Sequence, residues 1–475
     1  MTPAESMVSG LSKALFVPTL IRGRELAPAN ARIKTFPGEP VVEAVDVAGE
    51  LGTLTLSRPE GLADLQALPM EEIVAFLAEV GDALALDRHS RIEAAIANHR
   101  QYSNMSERML TDQFKYIVDL FSRDLLERWI RIARIDDRMN QWHELAVAPS
   151  KKPVRMRAVG CRSLHVIAGN VPSIGGLTII RSALVRADAI IKLPRNDLFT
   201  VPAIIKTMVD VDAKHPIVKH LSAAYWQGGD PEVEGGLYNS ECIEKLVLWG
   251  GDDATRRSPR IGADMDVIVF GPKMGVAIVD LDATSDDELP RLAALLALDV
   301  CELDQMACFS PRVIYTIVRK GHGSVDRCKE LSRSVLDAME RRCDRSPLRP
   351  MLAQCIKAMQ IGAIDQVVFG QSGMSPRVLL SLDGEKVEFV ERFSRGVVNI
   401  VVLQSVEQAL AKISIKNQTV AVYPAHLKAG LRDEIGLRGA QRIVDVGAAA
   451  VDVSLPGPQD GFDVLGRLCR WVVEE

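Results

Sequence analysis

The chain reads as an α/β protein built on doubly wound parallel sheets, and three observations carry that reading. Between residues 160 and 250, short unbroken apolar runs alternate with helical stretches of about 10 to 15 residues, as expected of parallel strands covered on both faces by crossover helices. The same alternation restarts after Gly271 and Pro272, a pair that punctuates the chain. Composition agrees: 47% hydrophobic and 25% charged residues over 475 positions describe an ordinary folded protein with material for a large core and two or three domains.

Residues 1 to about 65 are rich in Pro and Gly, with short β-like runs such as Leu51 to Leu56. From Pro69, with Glu71 and Glu72 in the first turn, Ile73, Val74, Phe76, Leu77, Val80 and Leu84 fall on one face of a helix. A second long helix is expected to carry Phe114, Ile117, Val118, Phe121, Leu125 and Trp129. The strip Pro149 to Pro153 reads as a linker or arm.

The strand–helix series comes next. Strands are expected at Leu164–Ala168, Ala189–Leu193, Leu221–Trp226 and Leu246–Trp249, with helices at Ile174–Val185 and Phe199–Val209. The second series has strands at Val276–Val279, Val313–Val318, Val397–Leu403 and Thr419–Val422, with helices at Asp286–Asp299 and Val325–Arg342. Boundaries fall at 1–275 for an N-terminal extension, helical segment and Rossmann-like nucleotide domain, at 276–445 for a second α/β domain, and at 446–475 for a C-terminal segment.

Several function classes drop out. A net charge of -5, with 57 Lys and Arg against 62 Asp and Glu, gives no concentrated positive charge for nucleic acid. No run reaches the roughly 18 uncharged apolar residues of a membrane span. The apolar run Ala14 to Ile21 is interrupted by Pro18 and flanked by Glu5, Arg22 and Arg24, so it reads as the start of the folded chain rather than a signal peptide. Eight cysteines without a CxxC or a Cys/His ligand pair predict no metal site and a reduced, cytoplasmic chain. No GxSxG occurs, so a serine hydrolase is unsupported.

Three constellations could carry chemistry. Gly169, Asn170, Val171 and Pro172 sit where a strand turns into a helix, so that free N–H groups and a side-chain amide could meet an anion; the same residues also suit a glycine turn with an Asn cap. Gly250 and Gly251 come after Trp249 at another strand end, and paired glycines let backbone approach a phosphate, although taken alone the segment better suits a tight turn with a solvated charge cluster. In Asp304, Gln305, Met306, Ala307, Cys308, Phe309, Ser310, Pro311 a thiol stands at an element boundary, the setting of an accessible nucleophile, with a buried packing cysteine as the alternative.

The segments IRGRE, GNVPSIGGLTIIRSALVRADAIIKLPRNDLFTVP, LVLWGGDDATR, LDQMACFSPR and DGFDVLGRLCRWV occur in this order from Ile21 to about Val473. They resemble the Lux-type acyl-CoA reductases, the long-chain fatty-acid reductase branch of the aldehyde dehydrogenase superfamily. That resemblance implies an aldehyde-dehydrogenase-like fold, a Rossmann-like nucleotide domain, a catalytic domain bearing the cysteine, and small arm segments for homo-oligomerisation. It implies Cys308 as the acyl-accepting nucleophile and Asn170 as the oxyanion-hole amide. Lys192, Gly250 and Gly251 would lie at the cofactor, and Glu391 in EFVERF would match the glutamate that binds the nicotinamide ribose. Arg195 stands where NAD-preferring relatives place an acid, which leans toward NADPH, with NADH as the alternative.

Oxidative aldehyde dehydrogenases carry a general-base Glu before a GGK segment, whereas Val267 to Lys273 here has no carboxylate before its glycine. Without that base water is poorly activated against an acyl-enzyme, so the thioester survives for hydride transfer. The expected reaction is reduction of an acyl-CoA or carrier-bound acyl thioester to the aldehyde. An acyl-activating synthetase is a further expected partner. Two other readings stand beside it: a CoA-acylating aldehyde dehydrogenase running the reverse reaction, and an inactive nucleotide-binding subunit of an acyl-activating complex.

Overall fold

The computed structural model describes residues 15–27, 31–34, 42–102, 105–147, 152–250, 265–319, 324–343, 345–362, 365–391, 395–450 and 457–475. The chain forms two compact units, Met1–Gly271 with Leu455–Glu475, and Pro272–Ser454.

The first unit is organised by a seven-stranded sheet: β1 (Leu20–Ile21), β2 (Arg24–Glu25), β3 (Arg162–Val166), β4 (Asp188–Lys192), β5 (Leu221–Ala224), β6 (Lys245–Trp249) and β7 (Asp266–Phe270), in the spatial order β7-β6-β3-β4-β5-β1-β2. Strands β3 to β7 are mutually parallel, and β1 with β2 closes one edge as an antiparallel pair. From β3 the chain winds outward to β4 and β5, then returns to place β6 on the other side of β3. The strand order therefore reverses between β3 and β6, and ligands of such sheets bind outside the carboxyl ends of the strands at that point.

Helix α1 (Met70–Leu86) buries the six residues its period predicts, Ile73, Val74, Phe76, Leu77, Val80 and Leu84. The expected single helix through Trp129 is instead two, α2 (Glu107–Leu120) and α3 (Arg123–Ala133). The break falls at Phe121, whose Cβ and carbonyl press onto Gly81 of α1: a Cβ on Gly81 would lie 2.9 Å from that of Phe121. The apolar stripe runs on in phase across the break, which is why periodicity does not reveal it. The β-like run Leu51–Leu56 is likewise helical over Leu51–Leu54. Helix α4 (Ser173–Leu184) comes after β3 and α5 (Thr200–Asp212) after β4; α2 packs on α4 and α1 on α5, in one continuous apolar cluster.

At the start of β4, buried Asp188 receives Arg22 on both carboxylate oxygens, at 2.7 and 3.2 Å, and His220 Nδ1 at 2.8 Å. The β1–β2 turn is thereby held to the sheet by a paired, hydrogen-bonded charge rather than a solvated one. The strip read as an arm starts a strand at Pro153: Pro153–Val159 lies between His143–Val147 and Arg470–Glu474 in a three-stranded antiparallel sheet.

The second unit holds β8 (Met274–Asp280), α6 (Leu289–Cys301), β9 (Pro311–Ile317), α7 (Ser324–Glu340), β10 (Gln366–Phe369), β11 (Arg377–Ser381), β12 (Val397–Leu403), β13 (Asn417–Tyr423) and β14 (Arg442–Asp445). Their order is β10-β11-β12-β9-β8-β13-β14, parallel except for β10. Every residue of β8 is buried, because Ala277 and Val279 face the cluster under α6 and α7 while Val276 and Ile278 face a second cluster on the opposite side. Among the described residues no helix is long and apolar enough to cross a membrane.

Candidate active site

The sequence-predicted residues fall at two places, one on each unit. On the first unit, Gly169 and Asn170 form the turn after β3, and Gly250 directly follows β6, so both come at the strand ends where the strand order reverses. Gly169 is required by contact: a Cβ there would sit 2.2 Å from Asn196 Oδ1 and 2.8 Å from Pro194. The loop after β4 thus packs directly on the turn that presents Asn170. That loop is in turn fixed by buried Asp197, whose carboxylate accepts from Thr200 N at 3.2 Å and Thr200 Oγ1 at 2.6 Å, tying the loop to the first residue of α5. The first residue of α4 is held as well, since Ser173 Oγ donates to Gln113 Oε1 at 3.2 Å.

Lys192 ends β4 with its ammonium 5.5 Å from the centre of the Trp226 ring. Burial lowers its pKa, with Glu234 acting in the opposite sense. A Cβ on Gly228 would come within 3.5 Å of Lys192 Nζ, and the buried Trp226 Nε1 has no hydrogen-bond partner among the described residues. An ammonium short of counter-charge and an unpaired indole donor, beside a glycine that leaves room, suit the phosphate and hydroxyl groups of a dinucleotide. Arg195, three residues on, is exposed. Gly250 adopts φ +156°, and its N–H donates to Phe270 O at 3.2 Å. Gly251 and the arginines after it lie outside the described residues.

Strand β7 ends against aromatic rings. Phe270 stacks on Trp249 with centroids 4.0 Å apart, and Phe462 lies 5.4 Å beyond. Val269 is exposed and β7 carries no carboxylate of its own at this end; Asp266, at the other end of the strand, is paired with Lys245 at 2.8 Å and Arg467 at 3.2 Å.

On the second unit Cys308 lies in the turn Ala307–Ser310 leading into β9, half-buried. Three consecutive non-glycine residues before it, Leu303, Asp304 and Gln305, have φ of +52°, +51° and +61°. Such backbone persists only where its surroundings over-determine it, and here they do. Fully buried Gln305 donates to Pro311 O and Val397 O, both at 2.9 Å, and accepts from Arg395 N at 3.1 Å and Val397 N at 3.3 Å. Arg395 also meets Asp304 at 3.3 Å. From below, Gly275 of β8 fits against the turn so closely that a Cβ would lie 1.9 Å from Phe309 O.

The other thiols have different settings. Burial pushes Cys328 up to about 11 and Cys469 up to about 12, which suppresses the thiolate needed for attack. Glu391 sits in the short turn Glu388–Glu391 of the same unit as Cys308; its carboxylate pairs with Lys386, and its carbonyl accepts from Arg312, four residues beyond the thiol. Gly275 and Trp226 carry no motif that marks them in the sequence as site residues. Gln305 had a visible signal in its place three residues before Cys308, whereas Gly275 and Trp226 gain meaning only from what packs against them.

The acyl-CoA reductase (LuxC) family model matches residues 65–471. A long-chain acyl-protein thioester reductase of Photorhabdus luminescens is 27% identical over 94% of this chain and 92% of its own length. Among solved structures, the NADP-dependent glyceraldehyde-3-phosphate dehydrogenase of Bacillus halodurans, complexed with NADP, superposes with a TM-score of 0.72 at 12% identity, covering 98% of this chain and 99% of its own. A salicylaldehyde dehydrogenase of Pseudomonas putida gives 0.71 at 12% identity, covering 97% and 98%. The fold is that of the aldehyde dehydrogenases, and the chain belongs to the acyl-CoA reductase (LuxC) family, whose members are oxidoreductases.

Proposed function

We propose that the protein reduces an acyl thioester to the aldehyde with NADPH through an S-acyl intermediate on Cys308. The Cys308 thiolate attacks the thioester carbonyl and a new C–S bond forms. The oxyanion is held by the Cys308 backbone N–H and the Asn170 amide, a donor type that contributes about 3 kcal/mol. The old C–S bond then breaks and the carrier leaves as its thiolate, which takes up a proton. Lys192, Gly250, Gly251 and Glu391 would hold the dinucleotide, which would supply the hydride. Collapse of the resulting hemithioacetal re-forms the Cys308 thiolate and releases the aldehyde. Lys192 and Arg195 favour a 2'-phosphate, hence NADPH over NADH.

The observation that supports reduction over hydrolysis is the end of β7, where, among the described residues, Val269 and Phe270 stand at the place of the base of oxidative relatives and the Trp249–Phe270–Phe462 stack supplies no proton acceptor of its own. The acyl group arrives as a CoA or protein-carrier thioester, or from a synthetase partner; the names of the relatives favour a protein-bound donor.

The test is acyl transfer from radiolabelled acyl-CoA. Label should remain on the protein, be released by neutral hydroxylamine, and be lost in Cys308→Ala. An Ala variant that still acylates would remove Cys308 from the mechanism.

A further inference from the structure

His99 is a deeply buried titratable side chain that the proposed reaction does not use. It lies in the last turn of the helix Arg91–Tyr102, is 2% exposed, and makes no hydrogen bond through either ring nitrogen among the described residues. A polar ring in that state is costly, so some other contact must hold it in place. That contact is Asp197: His99 Nδ1 lies 3.5 Å from Asp197 Oδ1, within ion-pair range though short of hydrogen-bond alignment. Asp197 is itself 3% exposed, and among the described residues no Lys or Arg pairs with its carboxylate. The tautomer that carries its proton on Nδ1 aims a donor at this carboxylate.

Asp197 stands in the middle of the loop from β4 to α5, and that loop carries candidate site residues. The Asp197 N–H turns back onto Pro194 O at 3.1 Å while its carboxylate holds Thr200 N and Oγ1, so the loop is closed on both sides of Asp197. Arg195 lies within this turn, and Pro194 and Asn196 are the residues that press on Gly169, next to Asn170. The helix Arg91–Tyr102 packs on α5 and α2, which gives His99 a footing outside the loop. We propose that His99 is a positioning residue: through Asp197 it fixes the loop against the Gly169–Asn170 turn, so that one side chain sets both the oxyanion donor and Arg195. The inference rests on the roles given above to Asn170 and Arg195. Only Asn196 stands between Asp197 and the contact with Gly169, so a carboxylate released toward water carries that contact with it. Displacements of about 1 Å near a reacting group cost on the order of a hundredfold in rate.

Two substitutions in the full chain separate positioning from packing. His99→Phe keeps an aromatic ring of similar size and removes the donor, whereas His99→Gln keeps a donor and removes the ring. The first readout is amide hydrogen exchange at Ile174 and Gly175, whose N–H groups meet Val171 O and Pro172 O at 3.1 Å each and so report on the Asn170 turn. The others are acylation from labelled acyl-CoA and the Kd for NADPH. In His99→Phe the two amides should exchange about tenfold faster. Acylation should slow by about tenfold to a hundredfold and NADPH should bind more weakly. His99→Gln should lie nearer wild type in all three. A packing role gives the reverse order, because Phe fills the space of the ring and Gln does not, and that order overturns the proposal. So does His99→Phe with a lowered melting temperature but unchanged exchange, acylation and Kd. Asp197→Asn weakens the acceptor and should reproduce the His99→Phe pattern, which provides the same decision if the Phe variant does not fold. Exchange needs no substrate: a wild type that neither acylates nor binds NADPH removes the roles of Asn170 and Arg195, whereas exchange unaffected by His99→Phe removes the link from His99 to the turn.

Discussion

Replacing Gly275 with Ala adds one methyl group at the point where β8 supports the cysteine turn. Built on the existing backbone, that Cβ lies 1.9 Å from Phe309 O, 2.6 Å from Phe309 C and 2.8 Å from Ser310 C. All three are backbone atoms, so no rotamer relieves the clash. A Cβ keeps at least ~3.0 Å from such atoms, so β8 or the turn must retreat by about 1 Å. β8 lies centrally, with parallel neighbours β9 and β13 on its two sides, whereas the turn is a connection. The turn yields, and Phe309 carries its neighbour Cys308 with it. Overpacking of this kind costs about 1 to 3 kcal/mol of stability, and a shift of that size at a nucleophile about a hundredfold in acylation rate. Single-turnover transfer from labelled acyl-CoA reads the second effect, and NADPH binding monitored by fluorescence should be unchanged, since its candidate residues apart from Glu391 lie on the other unit. Gly430→Ala is the control: nothing lies within 4 Å of its Cβ position, and it sits in the helix Leu427–Leu437, so the variant should be neutral or slightly more stable. Gly275→Ala with wild-type acylation would refute the claim that β8 positions Cys308.

The same geometry yields three further outcomes. Gln305→Ala leaves Pro311 O, Val397 O and the N–H groups of Arg395 and Val397 without their side-chain partner; we expect a loss of at least about 3 kcal/mol in urea unfolding together with slowed acylation, and a shift below about 1 kcal/mol would show that the network is dispensable. Asn170→Ala should bind NADPH as before and lose about a hundredfold in turnover, and unchanged turnover would remove it from the oxyanion hole. Burial raises the carboxyl group of Asp299 to about 6, against the opposing pull of the Gly447 and Ala449 N–H groups. Because an acid raised in the folded state binds its proton there first, its contribution to stability grows as pH falls from above 6 toward 4, by about 3 kcal/mol in all. Asp299→Asn should flatten unfolding free energy against pH in that window, and an unaltered slope would place the titration elsewhere.

Elements with a strong period were legible in the chain. Helix α1 buries the stripe read from its sequence, and the largely apolar runs of β8 and β12 are strands in which every residue is buried. Where the local signal is weak or ambiguous, tertiary contact decided. Leu51–Leu56 carries residues of high strand propensity yet starts as a helix, and the break at Phe121 is set by its seat on Gly81. For the candidate site, the order of motifs located the Gly169–Asn170 turn and the Cys308 turn. Gln305 stood in the motif, but its partners about 90 positions away were not legible, and neither was Gly275, which meets a turn more than 30 positions on.

The amino-acid sequence by itself determined the α/β class, the two strand–helix series and the family, since periodicity and motif order are properties of neighbouring residues. Only the tertiary structure decided which side of β3 receives β6, and hence where the strand order reverses. It alone decided that Phe270 ends β7 in an aromatic stack and that three left-handed residues are held before Cys308. Each of these depends on groups brought together from distant parts of the chain, and such pairings are fixed by packing rather than by local propensity.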